Sequence, residues 1–412
     1  MRSTYIAMKV AARMGLTEAE RGTIYYTTLL KDLGCSSNAA RIAELYATDD
    51  REFKQAWKTV PQGLPATLKF VFARTGDGAG LLTKLAKIAN ILKNGDAVAQ
   101  EMIEARCTRG ANVARQLSFD EEVAQGIFHL DERFDGSGRP ERLEGEQIPI
   151  GSRIALLAQI ADVFHRHGGR EAATGEVARR AGSWLDPKLA QHFLRAADDP
   201  GFWTGLESAL VDATVAAIAP RDDEFTVDDD SLDAIAAAFG AVVDAKSPYT
   251  GGHSGRVAQI AGAMGRTMGL NPSRLRWLHR AALLHDIGKL GVSSRVLEKP
   301  GKLGEGEWVE MRGHAAHTRE ILSRVGCFQD MAGVAAAHHE RIDGAGYPLG
   351  LRDEQIGSET RIITVCDFYD ALTADRPYRA ALPQKVALEI IEREIGKAVD
   401  GNAYDALRAT VA

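Results

Sequence analysis

The stretch "RLRWLHRAALLHDIGKLG", residues 274–291, joins two kinds of sequence that are rarely neighbours. Its first part has apolar residues at the spacing of one helix face, which predicts a buried helix. Its second part places the imidazole of His285, the carboxylate of Asp286 and the ammonium group of Lys289 directly after that apolar run. Because an unpaired buried charge is costly, other groups must compensate the charges at the end of this helix.

Helical spacing of apolar residues continues outside this stretch. It predicts further helices at residues 257–270, 318–325 and 359–374. No long run alternates polar and apolar residues in the way a half-buried strand would. The predicted fold class is therefore all-α.

Length and charge limit the possible functions. A chain of 412 residues exceeds what one hydrophobic core usually serves, so two domains are expected. A net charge of -6 and a pI near 6.0 argue against a general nucleic-acid binder, because such proteins carry a basic excess. DNA binding is not expected, and any nucleotide must be held locally.

A cytoplasmic protein without a membrane partner is expected. The N-terminus lacks a basic segment followed by an apolar core, and the apolar run at 234–243 is too short to cross a bilayer. None of the cysteines forms a CxxC pair, which disfavours a disulfide framework and a thiolate zinc site. Four buried free thiols are expected, at Cys35, Cys107, Cys327 and Cys366.

An internal repeat indicates a duplicated helical domain. "DERFDGSGRPERLEGEQIPIGSRI" at 131–154 aligns without gaps with "HERIDGAGYPLGLRDEQIGSETRI" at 339–362, and 25–34 resembles 278–288. The acidic stretch 219–233 reads as a linker whose last aspartates begin the next helix. The expected domains are a first copy at 1–218, with an insertion within 35–130, and a second copy at 234–412.

The two copies differ in their ionisable residues. Seven of the eleven histidines lie between His253 and His339, in the second copy. The replacements in the first copy are Lys31 for His285, Leu130 for His338, Asp131 for His339 and Gln159 for Asp367. A cluster that only supported the fold would be present in both copies. The first copy is therefore expected to be degenerate, without metal ligands.

Imidazole and carboxylate groups in this number, with no thiolate, predict a non-structural site for two metal ions. The candidate ligands are His253, His285, Asp286, His314, His338, His339 and Asp367. Asp286 can offer two oxygens, so it is expected to bridge ions about 3.5 to 4 Å apart.

Two further segments of the second copy are candidates for substrate binding. Lys289 shares a helix face with Asp286 and could contact a phosphate. In "HHERIDGAGYP", 338–348, the glycines permit positive φ or close approach to a ligand, and an aromatic ring can stack on a base. The expected contacts in this turn are Gly346, Tyr347 and Pro348. The first copy keeps both glycines, so an architectural role for them stays open.

The last helix of the second copy adds Asp370 on the face of Asp367, and then Arg376 and Arg379. All three added residues are candidate substrate contacts. Asp370 recurs as Asp162 in the first copy, which indicates that part of its role is structural. The arginines do not recur and suit a second phosphate or a guanine edge, although exposed arginines are usually solvated.

"HDIGK", "HHERIDGAGYP" and "VCDFYDALTADRPYR", with "YTGGHSGRV" upstream, resemble the HD-GYP subgroup of the HD metal-dependent phosphohydrolases over roughly 235–405. The resemblance implies an all-helical enzyme that hydrolyses cyclic di-GMP with two or three iron or manganese ions. It implies that the seven candidates above are ligands and that Arg376 and Arg379 contact substrate. It also implies that Asp286 and Lys289 are catalytic, with Lys289 contacting phosphate and activating the reaction beside it. Members with a third ion carry a glutamate where this chain has Tyr249, so two ions are expected.

The hypothesis is hydrolysis of cyclic di-GMP to pGpG, and onward to GMP in some members, by a hydroxide that bridges the two ions. One alternative keeps the chemistry and changes the substrate to another nucleotide phosphoester. Another is a cyclic di-GMP sensor or scaffold without catalysis, in which the first copy serves as a surface for a homodimer or a signalling partner. The counterpart of His253 would precede Met1, which suggests a missing N-terminal segment in the first copy.

Overall fold

The fold is all-α, as the sequence predicts, and is here described from a computed structural model. The described residues are 1–46, 70, 72, 81–220, 227–247, 251–299, 301–375 and 379–411. Within these ranges β-structure is limited to isolated bridges. The chain divides into two compact units, Met1–Thr226 and Val227–Ala412, and the division falls inside the acidic stretch 219–233. None of the described helices is long and apolar enough to cross a membrane.

The N-terminal unit is a helical bundle with one long interrupted helix. Its helices are α1 (Arg2–Ala11), α2 (Glu18–Leu30), α3 (Ala39–Tyr46), α4 (Leu81–Gln116), α5 (Glu121–Phe128), α6 (Ile150–Arg180), α7 (Pro187–Ala197), α8 (Pro200–Glu207) and α9 (Val211–Ala217). Fully buried Ile6, Ile24 and Leu157 join α1, α2 and α6 in its main core. Gly168 and Gly169 have non-helical dihedral angles and kink α6. Part of the expected insertion, residues 47–69, 71 and 73–80, lies outside the described residues.

The C-terminal unit contains the helices predicted around the candidate ligands. They are α10 (Asp229–Asp244), α11 (His253–Thr267), α12 (Pro272–Leu284), α13 (Ser294–Leu297), α14 (Glu305–Ser323), α15 (Ala332–Ala336), α16 (Ser358–Thr373), α17 (Gln384–Glu392) and α18 (Gly401–Val411). Asp228 accepts a hydrogen bond from Ser231 N and so begins α10 within the acidic stretch. Asn271 begins α12 in the same way, with Pro272 in its first turn.

A glycine fixes the end of α12 against α14. After Leu284 the chain passes through His285 and Asp286 into a 3-10 turn, Ile287–Gly291. A Cβ atom on Gly288 would lie 1.9 Å from the backbone oxygen of His314, so only glycine allows the turn to approach α14 this closely. This contact brings His285 and Asp286 beside His314.

The same local geometry occurs in the N-terminal unit. A Cβ atom on Gly34 would lie 1.9 Å from the backbone oxygen of Arg106, which matches the relation of Gly288 to His314. Buried Glu132 accepts hydrogen bonds from the backbone N–H groups of 141, 142 and 143, as buried Glu340 does from those of 349 and 351. The sequence repeat is therefore also a repeat of local structure.

The cysteines differ from the expectation of four buried thiols. All are free, and Cys107 and Cys366 are buried as expected. Cys327 is exposed and Cys35 is only partly buried, so the expectation is wrong for these two. The turn at Cys327 lies on the surface between α14 and α15, a position that periodicity alone does not distinguish from a core position.

Candidate metal centre

Four histidines of the C-terminal unit direct the same ring nitrogen into one buried space. The Nδ1 atom lies 2.7 Å from Ala282 O in His285, 2.5 Å from Met311 O in His314, and 2.6 Å from Ala335 O in His338. In His253 the Nδ1 atom lies 2.6 Å from Asp370 Oδ2. A carbonyl or carboxylate oxygen can only accept, so each Nδ1 carries a proton, and in the neutral imidazole Nε2 then holds the lone pair.

The Asp286 carboxylate lies at the centre of these Nε2 atoms. Its Oδ2 atom is 3.3 Å from His285 Nε2 and 3.5 Å from His253 Nε2. Its Oδ1 atom is 3.5 Å from His314 Nε2 and 3.7 Å from His338 Nε2. Each oxygen therefore faces a different pair of imidazoles, which is the arrangement a bridging carboxylate needs.

Three overlapping groups have ligand atoms close enough to hold a cation. In each group the atoms lie within 4.8 Å of one another. The groups are His314 with His338 and His339, His253 with His285 and Asp367, and His285 with Asp286 and His338. All seven sequence-predicted ligands belong to these groups, although they come from five separate segments of the chain.

The site fits divalent cations because several of its buried polar atoms have no other partner. His253 Nε2, His285 Nε2 and Asp286 Oδ1 are buried and make no hydrogen bond. Contacts of 3.3 to 3.7 Å to neighbouring ligand atoms are too long to satisfy them. Leaving such atoms without partners is costly, and a cation would satisfy all three at once.

The protonation states also suit metal binding. Burial lowers the pKa of His338 well below its usual range and lowers that of His339 to about 3, so both imidazoles are neutral near pH 7. Burial opposes ionisation of Asp286, but Lys289 and His285 hold its pKa well below the usual range. Neutral imidazole and ionised carboxylate are the forms that bind metal ions.

Asp370 lies behind the site, although the sequence predicts a substrate contact for it. It is 3% exposed, and its oxygens accept hydrogen bonds from His253 Nδ1 and from both Nε and a terminal nitrogen of Arg256. A carboxylate engaged in this way has little capacity left for a substrate. Its position instead orients His253, as carboxylates behind metal-bound histidines commonly do.

Lys289 is placed as the helical spacing predicts, on the face of Asp286. Its Nζ atom donates to Asp286 Oδ2 at 2.5 Å. The Lys289 side chain is 16% exposed, so the ammonium group lies at the edge of the buried cluster. It can therefore serve both the carboxylate and an anion that approaches from solvent.

Glu340 and Gly346 shape the Gly-rich turn beside the ligands. Glu340 is 1% exposed and accepts hydrogen bonds from the backbone of the turn. A Cβ atom on Gly346 would lie 2.4 Å from the backbone nitrogen of Arg341, so this glycine is required by the turn itself. Gly344 has a φ of 78°, but Gly346 has no positive φ and serves only the close approach. The turn holds the Tyr347 ring 4.8 Å from the His339 ring.

The remaining predicted contacts fall in different places. Pro348 follows a cis peptide bond after Tyr347 and is partly buried. The guanidinium group of Arg379 donates to the backbone oxygens of Ala371, Leu372 and Ala380, at the end of α16. It therefore closes a helix end. Arg376 and Tyr249 lie outside the described residues.

Sequence reasoning missed three residues that support the site. Arg256 binds Asp370, Glu340 holds the turn, and Thr318 bridges Gly288 N and His285 O at 3.0 Å each. The repeat carried a signal for two of them. Glu340 recurs as Glu132, and Arg2 binds Asp162 through Nε at 2.6 Å, as Arg256 binds Asp370.

The corresponding positions of the N-terminal unit contain fixed positive charges instead of ligands. Lys31, which replaces His285, pairs with Asp32. Arg106, which occupies the position of His314 against Gly34, pairs with Asp131. Among the described residues, the clusters able to hold a cation all lie in the C-terminal unit. Ammonium and guanidinium groups thus neutralise the carboxylates at these positions.

Comparison with known proteins gives consistent matches. The profile of the HD domain matches residues 65–189 and 239–403. The "3'3'-cGAMP-specific phosphodiesterase 3" of Vibrio cholerae is 47% identical over 408 residues, which cover 99% of this chain and 89% of that protein. The "Cyclic di-GMP phosphodiesterase response regulator RpfG" of Xanthomonas campestris is 40% identical over 154 residues, 37% of this chain and 41% of that protein.

A solved structure also resembles the whole chain. It is a crystal structure of a cyclic GMP-AMP specific phosphodiesterase from V. cholerae, V-cGAP3, with a TM-score of 0.65 and 42% sequence identity. The match covers 100% of this chain and 91% of the other.

Proposed function

This chain belongs to the HD domain family, and from that premise we propose that its C-terminal unit hydrolyses a cyclic dinucleotide in a centre of two divalent cations. The observation that carries the proposal is the convergence of Nε2 atoms around Asp286, with three buried ligand atoms left without partners. Packing alone does not explain these atoms, because buried polar groups normally have hydrogen-bond partners.

The residues that would hold the cations are the seven histidines and aspartates of the overlapping groups, with Asp286 shared between the two positions. Iron or manganese suits a donor set of imidazoles and carboxylates without thiolate. Bound cations lower the pKa of water and stabilise negative charge on a phosphoryl group.

The side chains of this unit prepare the reaction in three ways. The carbonyl and carboxylate partners of each Nδ1 fix the imidazoles in one tautomer, which avoids reorganisation on binding. Lys289 supplies a positive charge at the edge of the site for the phosphate. Tyr347, fixed beside His339, offers a ring on which a base can stack.

Hydrolysis adds one water across the phosphodiester bond. A new oxygen–phosphorus bond forms, the bond from phosphorus to the 3′ oxygen breaks, and the 3′ oxygen takes up a proton. The product is a linear dinucleotide with a 5′ phosphate and a 3′ hydroxyl group. A second hydrolysis of that product would give mononucleotides.

We favour 3′3′-cGAMP as the substrate, with cyclic di-GMP as the second candidate. The relative named for 3′3′-cGAMP is similar over 99% of this chain, whereas the cyclic di-GMP relative is similar over 37%. The sequence motifs predict cyclic di-GMP only through the family resemblance, and a stacking ring such as Tyr347 accepts guanine and adenine alike. The N-terminal unit, with paired charges at the ligand positions, is proposed to be a metal-free copy.

The test combines metal content with turnover. The full chain should bind two manganese ions and hydrolyse 3′3′-cGAMP, and Asp286→Ala should lose both properties while keeping its helical circular dichroism. His317→Ala is the matched control, because His317 is an exposed histidine on the same helix as His314. Full activity in Asp286→Ala would refute the site, and metal-dependent dinucleotide binding without turnover would favour the sensor.

A further inference from the structure

An aromatic and cationic ledge, made of Trp308, Arg312 and Tyr347, lies next to the metal centre. Trp308 and Arg312 are one helical turn apart on α14, and the Arg312 guanidinium lies 5.6 Å from the Trp308 ring. The same guanidinium lies 5.5 Å from the Tyr347 ring. Tyr347 in turn contacts the ring of His339, so the ledge begins at a candidate ligand and extends outward.

The charge of Arg312 is not used within the described part of the chain. Its side chain is exposed, and no described carboxylate forms an ion pair with it. Among the described residues, its guanidinium group lies against the two aromatic rings. Arginines elsewhere in the C-terminal unit do have carboxylate partners, for example Arg274 with Glu359 and Arg276 with Asp233. Arg312 therefore keeps its donors available for a ligand.

The exposure of Trp308 also favours a ligand-binding role for this surface. Its side chain is 46% exposed, and the next residue, Val309, is 73% exposed, so the start of α14 presents apolar surface to solvent. At this exposure, a large part of the tryptophan surface remains open to a ligand. A flat ring beside a guanidinium group suits a purine, since each base has a face for stacking and an edge for hydrogen bonds.

The N-terminal unit provides an internal comparison. In the alignment that pairs His314 with Arg106 and His339 with Asp131, the ledge residues are replaced as well. The replacements are Gln100 for Trp308, Glu104 for Arg312 and Arg139 for Tyr347. The fold tolerates these exchanges, because both turns keep the same buried glutamate and glycine. The ledge is thus lost together with the candidate ligands, which links it to the chemistry of the site.

We propose that Arg312, supported by Trp308 and Tyr347, binds the edge of a guanine base in the substrate. The arginine fork donates two parallel hydrogen bonds, which match the O6 and N7 acceptors of guanine. Adenine presents an amino donor in place of O6 and repels the same fork. Arg312 thereby selects dinucleotides that contain guanine. This inference rests on the proposed function and names a specificity residue of that site.

The test uses the full chain loaded with manganese and three substrates that differ in guanine content: cyclic di-GMP, 3′3′-cGAMP and cyclic di-AMP. Arg312→Ala should lower kcat/KM for the two guanine-containing substrates about 10- to 100-fold, mainly through KM. Arg312→Lys should behave similarly, because it keeps the charge and loses the fork. For cyclic di-AMP, neither variant should lower the activity. Arg319→Ala, which removes an exposed arginine from the same helix, should resemble the parent protein.

Two further measurements separate base recognition from a structural role. The full chain should cut one of the two phosphodiester bonds of 3′3′-cGAMP preferentially, and Arg312→Ala should make the ratio of the two linear products more equal. Binding of cyclic di-GMP should quench a fluorescence component that is missing in Trp308→Phe. Circular dichroism would show whether Arg312→Ala is misfolded. In that case Arg312→Lys would take its place in both measurements.

The outcomes are distinct. A uniform loss with all three substrates would mean that Arg312 binds a phosphate, and it would overturn the guanine assignment. Unchanged selectivity in both variants, or parent activity that is equal on cyclic di-AMP, would overturn it too, while the proposed function would stand. If the parent protein cleaves none of the three dinucleotides, the proposed function fails and this inference fails with it.

Discussion

Replacement of Asp370 by asparagine tests whether a carboxylate behind the site controls metal binding. The substitution keeps the volume of the side chain and removes the charge that accepts hydrogen bonds from His253 Nδ1 and Arg256. The amide can accept through one atom only, so His253 loses part of the constraint that directs its Nε2 into the site. Loss of such a partner costs about 10- to 100-fold in metal affinity, or roughly 1.4 to 2.7 kcal/mol.

The assay is a manganese titration of the metal-free full chain, followed by turnover of 3′3′-cGAMP at saturating manganese. Asp370→Asn should shift the titration by the amount above and recover most of its kcat once the metal saturates. Asp162→Asn is the matched control, because Asp162 binds Arg2 as Asp370 binds Arg256 but has no candidate ligand beside it. Equal metal affinity in Asp370→Asn and the parent, or an equal loss in both variants, would refute the positioning role.

Two further predictions concern packing and the metal. Gly288→Ala would place a methyl group 1.9 Å from His314 O and 2.6 Å from Thr318 N, so the free energy of unfolding in urea should fall by about 1 to 3 kcal/mol, or more where the backbone cannot shift. Gly313→Ala, whose nearest contact would be 3.9 Å away, is the control and should not destabilise, and equal stability of the two variants would contradict the packing argument. Chelation of the metal should abolish turnover. Manganese binds only the folded site and satisfies its unpaired ligand atoms, so it should increase the melting temperature of the parent protein. Asp286→Ala should show no such increase.

The sequence by itself determined the helical fold, the repeat and the identity of the candidate ligands. Apolar periodicity predicted α11, α12 and α16, because helix formation on an amphipathic pattern is a local property. Of α14, which begins at Glu305, the helix predicted at 318–325 covers only the C-terminal end. The contrast between the two copies separated the ionisable cluster from residues that both copies share. The identity of candidate ligands depends on residue type and on position along the chain, and both can be read from the sequence.

Only the tertiary structure decided what the individual atoms do. It placed Asp370 behind His253, assigned Arg379 to the end of α16, and set Arg312 beside Tyr347. Each of these contacts depends on how a side chain is oriented after the helices have packed. Asp370 and His253 are 117 residues apart, and no local pattern encodes their hydrogen bond. The physical reason is that periodicity fixes which face of a helix is buried, whereas packing fixes which partner each polar atom meets.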